Sequence, residues 1–195
     1  MRERAGCGEA AAVLRFNHFV DSKVNYPMQA AQLTPGLSKT GVFAELRQQL
    51  LGLVQGERDA LPNCANAAAL IYHTLPDINW AGFYFIRHGE LVLGPFQGKA
   101  ACVRIGLGKG VCGTAAQSRE TLIVPDVHAF PGHIACDAAS RSEIVVPLLQ
   151  SERLLGVLDI DSPLPDRFDR DDAQGLDALV GILIRGSDFG GLAIP

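Results

Sequence analysis

Residues 143–162 have the sequence EIVVPLLQSERLLGVLDIDS. Two apolar runs, 143–149 and 154–162, flank a polar connection, which is the pattern of two antiparallel strands joined by a turn. Along the second run, the strand period of two places Asp159 and Asp161 on one face and the residues between and before them on the other. The two aspartates should then lie roughly 7 Å apart. This hairpin predicts an antiparallel sheet with acids on one face.

Glu143 begins the first strand of the hairpin and can join the two aspartates. Acids at strand ends are often ordinary surface groups. Both strands are very apolar, however, and a buried acid is costly unless it faces a cavity or a cationic partner. We therefore expect Glu143, Asp159 and Asp161 to converge on a pocket that attracts an ammonium group. Burial and mutual repulsion would let one of them hold its proton near neutral pH and serve as an acid.

The segments around the hairpin show helical and strand patterns in turn. Apolar spacing predicts a helix over 41–54, with Ser38 or Thr40 as its cap, and a second helix over about 63–74. Segments 79–87 and 90–96 predict another hairpin, 121–124 a short strand, and Asp169 the cap of a last helix. The glycines between 94 and 113 predict a loop-rich middle. The expected fold class is α/β of the α+β type, with a central antiparallel sheet flanked by helices.

Composition and charge restrict the class of protein. Of the 195 residues, 48% are hydrophobic and 19% are charged, which is typical of a packed domain. The net charge is −4 and no run of lysine and arginine occurs, which disfavours nucleic acid and anionic membranes as partners. No apolar run reaches the roughly 18 residues that span a bilayer, and the N-terminus lacks a signal-peptide pattern. We expect a cytoplasmic protein.

One main domain is predicted, over residues 38–187. Residues 1–37 are interrupted by Pro27, Pro35 and Gly36, and we interpret them as a loosely ordered N-terminal tail. Residues 188–195 are interpreted as a short C-terminal tail.

The aromatic segment NWAGFYFIR (79–87) predicts a strand with two different faces. Alternation places Trp80, Gly82 and Tyr84 on one face and the intervening residues on the other. Most aromatic side chains at this spacing belong to a core. Trp80 and Tyr84 each combine an apolar body with one polar group, which suits a face that meets a ligand.

Three of the five cysteines, Cys102, Cys112 and Cys136, lie in the stretch 94–162. Zinc sites usually pair ligands about two to four residues apart, a spacing that these three cysteines lack, so we expect no metal. His133 lies close to Cys136 and leaves a mixed His/Cys site as an alternative. No GxSxG nucleophile elbow occurs. A cysteine with a second thiol in reach can instead attack an oxidised substrate, become a sulfenic acid and be resolved to a disulfide.

Several motifs resemble a known family. GPFQGKAACVRI, GKGVCGTAA, DVHAFPGHIACDAASRSEIVVPL and GVLDIDS, together with NWAGFYF, are similar in content and order to the free methionine-(R)-sulfoxide reductases. These reductases are built on a GAF-type domain. The resemblance extends over about residues 40–185 and leaves out both termini. It implies an enzyme that reduces free methionine-(R)-sulfoxide to methionine.

The resemblance implies a role for each cysteine of the stretch. Cys136 matches the nucleophile that attacks the sulfoxide sulfur, and Cys102 matches the resolving thiol that forms a disulfide with it. Cys112 matches a third cysteine that can join the relay. In the family, thioredoxin reduces the disulfide, so thioredoxin is the implied partner and no cofactor is bound. A homodimer is compatible with the resemblance.

The resemblance also assigns the substrate site. Glu143, Asp159 and Asp161 match acids that hold the substrate and assist loss of its oxygen as water. Trp80 and Tyr84 match the aromatic wall around it. The acids suit the α-ammonium of a free amino acid, and backbone N–H groups could hold its α-carboxylate. The alternative is a non-catalytic GAF-type sensor that binds a small molecule, which would have no need of the cysteine trio. A thiol-based redox sensor with no small-molecule substrate is a further alternative.

Overall fold

A computed structural model describes residues 33–132 and 138–192, in which four α-helices and six strands occur. The helices are α1 Lys39–Val54, α2 Ala60–Thr74, α3 Gly110–Ser118 and α4 Arg170–Gly186. The strands are β1 Trp80–Arg87, β2 Glu90–Gly98, β3 Arg104–Gly106, β4 Leu122–Val124, β5 Ser142–Gln150 and β6 Arg153–Ser162. A short 3₁₀ turn, Val127–Ala129, follows β4.

The six strands form one antiparallel sheet in the order β3-β2-β1-β6-β5-β4. Both predicted hairpins are present, as β1–β2 and as β5–β6 at the centre of the sheet. In the register of the sheet, Asp161 lies opposite both Glu143 on β5 and Trp80 on β1, and Asp159 lies opposite Gly82. The predicted fold class, an antiparallel sheet flanked by helices, is confirmed.

Each face of the sheet is covered by a different set of elements. Ala81, Phe83 and Phe85 of β1 pack in one apolar cluster with residues of α1, α2 and α4. Trp80 and Tyr84 belong to a second cluster, which includes residues of α3. The two faces of β1 therefore differ as the alternation of its sequence predicts. We call the face covered by α3 the site face.

Side-chain caps fix the starts of three helices. Ser38 accepts a hydrogen bond from the backbone N–H of Gly41, and Asp169 caps α4 in a capping box, both as predicted. Asp59 caps α2, which begins at Ala60, a few residues before the predicted start. The prediction placed the start after Pro62, but a proline in the first turn of a helix needs no hydrogen-bond partner and is tolerated there.

The middle segment departs from the predicted loop, because it contains β3 and α3. Glycine content led to the expectation of irregular structure, but here it permits close packing at the helix start. A Cβ atom at Gly113 would collide with the carbonyl oxygen of Gly106. The helix ends at Ser118, and the next residue, Arg119, adopts a left-handed conformation with φ of 61°. This helix is what places Cys112 on the site face.

Parts of the two predicted tails lie outside the described residues, namely 1–32 and 193–195. Residues 1–32 lie outside the described residues, and just after them Thr34 bonds through its hydroxyl and backbone N–H to the carboxylate of Glu45. In the described part of the C-terminal segment, Phe189 is buried and its ring lies 6.1 Å from that of Phe85. Both domain boundaries stay predictions. None of the described helices has the length and apolar character needed to cross a membrane.

Candidate active site

A cavity opens on the site face of the sheet, over β1, β5 and β6. Six of the eight residues predicted for the site line it: Trp80, Tyr84, Cys112, Glu143, Asp159 and Asp161. Cys102 does not line the cavity, but it packs against the apolar cluster that forms its base. Cys136 lies outside the described residues, so its predicted role is not tested by the geometry.

Acidic and largely buried side chains form the floor of the cavity. Glu143 and Asp159 are each 6% exposed, and Asp161 is half-buried. Oxygen atoms of Glu143 and Asp159 and the sulfur of Cys112 all lie within 4.8 Å of one another. The Oδ1 atom of Asp159 is buried and has no hydrogen-bond partner among the described residues. A buried acceptor without a donor is costly, so this floor is suited to a ligand that donates hydrogen bonds.

Burial sets the protonation of the two buried acids. It raises the pKa of Glu143 well above its usual range, and repulsion from Asp159 and Asp161 adds to the rise. Burial also raises the pKa of Asp159 to about 6, against the opposing effect of polar contacts with Cys112 and Glu143. Because the two charges repel each other, the pair favours a state with one proton, and the strong rise in the pKa of Glu143 favours Glu143 as the group that holds it. One acid is available as a proton donor and the other as a carboxylate.

Cys112 is a buried thiol that contacts the acids and is shielded from solvent. It is 4% exposed, and its sulfur donates to Oε1 of Glu143 over 3.7 Å. Burial raises its pKa well above the usual range, and the charges of Asp159 and Glu143 raise it further. A thiol in this state is a poor nucleophile, because the thiolate is the reactive form. The geometry thus gives Cys112 a hydrogen bond to Glu143, whereas its predicted part in a relay stays a prediction.

The other described cysteines differ from one another. Cys102 is disulfide-bonded, whereas Cys64 and Cys112 carry free thiols. Cys64 is fully buried in α2 within the core opposite the site face, and burial alone raises its pKa. Its location is that of a small buried core residue.

Aromatic side chains form one wall of the cavity. The Trp80 ring stacks between Tyr84, at 5.9 Å between centroids, and Phe96, at 5.3 Å. The indole N–H donates to the backbone carbonyl of Lys99 over 3.0 Å, which fixes the ring. A Cβ atom at Gly82 would collide with Trp80 and Phe96. Burial and then the nearby acids raise the pKa of Tyr84, so its hydroxyl remains a donor. Sequence reasoning did not single out Phe96.

The start of α3 brings backbone donors and a cation to the same cavity. Gly110 and Val111 line it, and Lys109 precedes them without capping the helix through its side chain. Uncapped N–H groups at a helix start favour an anion. Sequence reasoning assigned the substrate carboxylate to backbone N–H groups without naming this helix, and it did not select Lys99, Lys109 or Ser140, which also line the cavity. The GKxxC and GKG patterns were available as signals for the two lysines.

Comparisons with known proteins identify the family of this chain. Residues 43–183 match the GAF domain family. The chain is 53% identical over 147 residues to the free methionine-R-sulfoxide reductase of Escherichia coli, covering 75% of this chain and 89% of the relative. It is 45% identical over 161 residues to the free methionine-R-sulfoxide reductase of Saccharomyces cerevisiae, covering 78% and 89%.

A solved structure supports the same grouping. The free methionine-R-sulfoxide reductase from Neisseria meningitidis, solved in complex with its substrate, is 43% identical and has a TM-score of 0.78. The match covers 82% of this chain and 95% of that one. The GAF match spans most of the described chain, and the relatives are similar over most of their own length. The chain belongs to the free methionine-R-sulfoxide reductase family, whose members are oxidoreductases, and it is built on a GAF domain.

Proposed function

We propose that the protein reduces free methionine-(R)-sulfoxide to methionine by thiol chemistry, with thioredoxin as the reductant. The observation that carries the proposal is the cavity floor, where buried acids and stacked aromatic rings share one face of the sheet. Besides its sulfoxide, the substrate carries an ammonium group, a carboxylate and a short apolar chain. Each of these groups has a matching surface in the cavity.

The acids would hold the ammonium group. Asp159 is mostly ionised and offers its unpartnered Oδ1, and Asp161 lies on the same face. The side chain would lie along Trp80 and Tyr84. The backbone N–H groups at the start of α3 would take the carboxylate, since a helix start favours an anion. This arrangement requires a free amine, which a methionine sulfoxide within a peptide lacks.

The reaction transfers oxygen from the substrate to a cysteine. The Cys136 thiolate attacks the sulfoxide sulfur, the oxygen passes to the Cys136 sulfur with a proton, and the substrate leaves as a thioether. Glu143, which holds its proton near neutral pH, is suited to supply that proton. The thiol of Cys102 then attacks the sulfenic acid, forms the disulfide and releases water. One sulfoxide and two thiols thus give a thioether, a disulfide and water.

Thioredoxin would complete the cycle by reducing the disulfide through thiol–disulfide exchange. The bonded state of Cys102 supports its assignment as the resolving thiol, since neither Cys64 nor Cys112 is its partner. The cytoplasmic location and the homodimer remain predictions alongside this one.

The experiment follows NADPH consumption with thioredoxin and thioredoxin reductase. Each epimer of methionine sulfoxide is supplied, free and within a peptide. We expect consumption with the free (R) epimer and little with the other three substrates. Tight binding of the free amino acid without turnover would overturn the proposal and favour a GAF-type sensor.

Two variants assign the cysteines in a single-turnover assay. Cys136→Ser should form no methionine, because the nucleophile is missing. Cys102→Ser should form about one equivalent and then stop as a sulfenic acid, because a resolving thiol is needed only after the first step. Cys64→Ser, which alters a buried thiol far from the chemistry, is the matched control and should turn over normally. One equivalent of methionine from Cys136→Ser would contradict the assignment.

A further inference from the structure

Cys112, Glu143 and Asp159 come from three different elements and meet at the base of the cavity. Cys112 is in α3, Glu143 is in β5, and Asp159 is in β6. Their sulfur and oxygen atoms lie within 4.8 Å of one another. Spacing along the chain could not reveal this grouping, because the ligand atoms converge only through the sheet and the helix above it. One thiol and two carboxylates are a donor set that zinc accepts.

The distances match those of a metal site. A thiolate and a carboxylate bound to one tetrahedral zinc ion, at about 2.3 and 2.0 Å, have their donor atoms about 3.5 Å apart. The sulfur of Cys112 lies 3.7 Å from Oε1 of Glu143. A second observation points to a ligand at this place, because Oδ1 of the buried Asp159 has no hydrogen-bond partner among the described residues. A cation would satisfy this oxygen.

We propose that Cys112, Glu143 and Asp159 form an inhibitory binding site for a thiophilic divalent cation of the zinc class. The three side chains supply three ligands, and the cavity leaves a fourth position for water. The cation displaces the thiol proton of Cys112, so binding strengthens as pH rises. Because the cation occupies the position of the substrate ammonium group, cation and substrate exclude each other. The binding stands on the geometry alone, whereas the inhibition rests on the proposed function.

The test uses Co²⁺ as a spectroscopic probe in a protein with both Cys102 and Cys136 replaced by serine. We expect one Co²⁺ per chain with thiolate-to-metal charge-transfer absorption, displaced by added Zn²⁺. Adding Cys112→Ser should remove the absorption, whereas adding Cys64→Ser, a matched buried thiol, should leave it. Adding Asp159→Asn, which keeps the thiol and the shape of the side chain, should weaken binding about tenfold or more. Free methionine should compete with Co²⁺.

Two results would overturn the site: charge-transfer absorption that survives Cys112→Ser in a folded protein, or no binding at millimolar Co²⁺. This binding assay is carried out without turnover, so its failure would leave the proposed reductase activity untouched. Inhibition is measured separately, as methionine formed in a single turnover of the parent protein with Zn²⁺, and then with excess chelator. We expect loss of product with Zn²⁺ and full recovery with chelator. Product formation unaffected by Zn²⁺ at a concentration that saturates the site would refute the inhibitory role.

Discussion

Two buried aspartates lie in contrasting surroundings in this molecule. Asp172, in the first turn of α4, accepts hydrogen bonds from Lys39 at 2.8 Å and from Arg167 at 3.2 and 3.3 Å. Asp159, on β6, has an oxygen atom within 4.8 Å of an oxygen of Glu143 and the sulfur of Cys112, and its Oδ1 has no donor among the described residues. Asp172 thus has two cationic partners, whereas neither of the two lysines that line the cavity, Lys99 and Lys109, bonds to Oδ1 of Asp159.

The contrast separates an acid that supports the fold from one that serves a ligand. When a buried carboxylate has cationic partners, removing one of the partners destabilises the folded protein. A buried carboxylate beside another acid reduces stability, and such strained groups are typical of sites where function is favoured over stability. The comparison can therefore be tested by replacing each aspartate and measuring stability and activity separately.

The largest effect on stability is expected at Asp172. Asp172→Asn leaves the guanidinium of Arg167, only 10% exposed, without its charge partner. We expect the free energy of unfolding to fall by about 3 kcal/mol, as for a broken buried ion pair. Chemical denaturation at pH 7 measures it. Asp177, an exposed acid on the same helix as Asp172 that accepts a hydrogen bond from Thr121, provides the control, and Asp177→Asn should change stability by less than about 0.5 kcal/mol.

The opposite sign is expected at Asp159. Its pKa of about 6 in the folded protein exceeds the ordinary value of 3.8, so folding favours the protonated form. The contribution of this group to the free energy of unfolding is complete below about pH 4 and is lost as the pH rises through 6. At pH 7 the free energy of unfolding of Asp159→Asn should therefore exceed that of the parent by about 2 kcal/mol. This is below the maximum that the pKa difference allows at 1.36 kcal/mol per pKa unit.

The measurement is a set of denaturation curves from pH 4 to pH 7.5 in buffer with chelator. The other titratable groups around Asp159 are Glu143, Cys112, Tyr84 and Asp161, and they are the same in both proteins. The stabilisation of Asp159→Asn should grow with pH across this range. A variant less stable than the parent at pH 7 would show that the carboxylate has a partner after all and would remove the contrast with Asp172.

A smaller effect is expected at Cys112. Serine can also donate a hydrogen bond to Glu143, so Cys112→Ser should keep the proton-donating acid in place. We expect kcat/KM to fall only a few-fold, on the order of 1 kcal/mol. Steady-state kinetics with the thioredoxin system would test it. Complete loss of turnover with a normal single-turnover yield would instead make Cys112 part of the thiol relay.

Local sequence patterns predicted most of the fold. The β5–β6 hairpin, the two faces of β1 and the caps at Ser38 and Asp169 follow from strand alternation and capping preferences. α3 was missed because its glycines suggested a loop, whereas the close approach of Gly113 to Gly106 requires glycine within a helix. Such an approach depends on tertiary packing and leaves no periodic signal.

For the site, strand alternation brought Asp159 and Asp161 to one face and pairing added Glu143. The meeting of Cys112 with Glu143 depends on α3, so spacing along the chain could not predict it. The ring of Phe96 beside Trp80 likewise follows from strand register rather than from composition. Long-range convergence of this kind is the part of a site that single-sequence reasoning does not reach.

The central claim is that the acids on the site face bind the ammonium group of a free amino acid. The most direct measurement compares kcat/KM for free and for N-acetylated methionine-(R)-sulfoxide in the parent protein. Acetylation removes the charge and leaves a buried carboxylate unpaired, so we expect at least about a 100-fold preference for the free form, near 2.8 kcal/mol. Asp159→Asn removes that carboxylate and should therefore lower the ratio of kcat/KM for the free substrate to kcat/KM for the N-acetylated one. Comparable kcat/KM values for the two substrates in the parent protein would contradict the account.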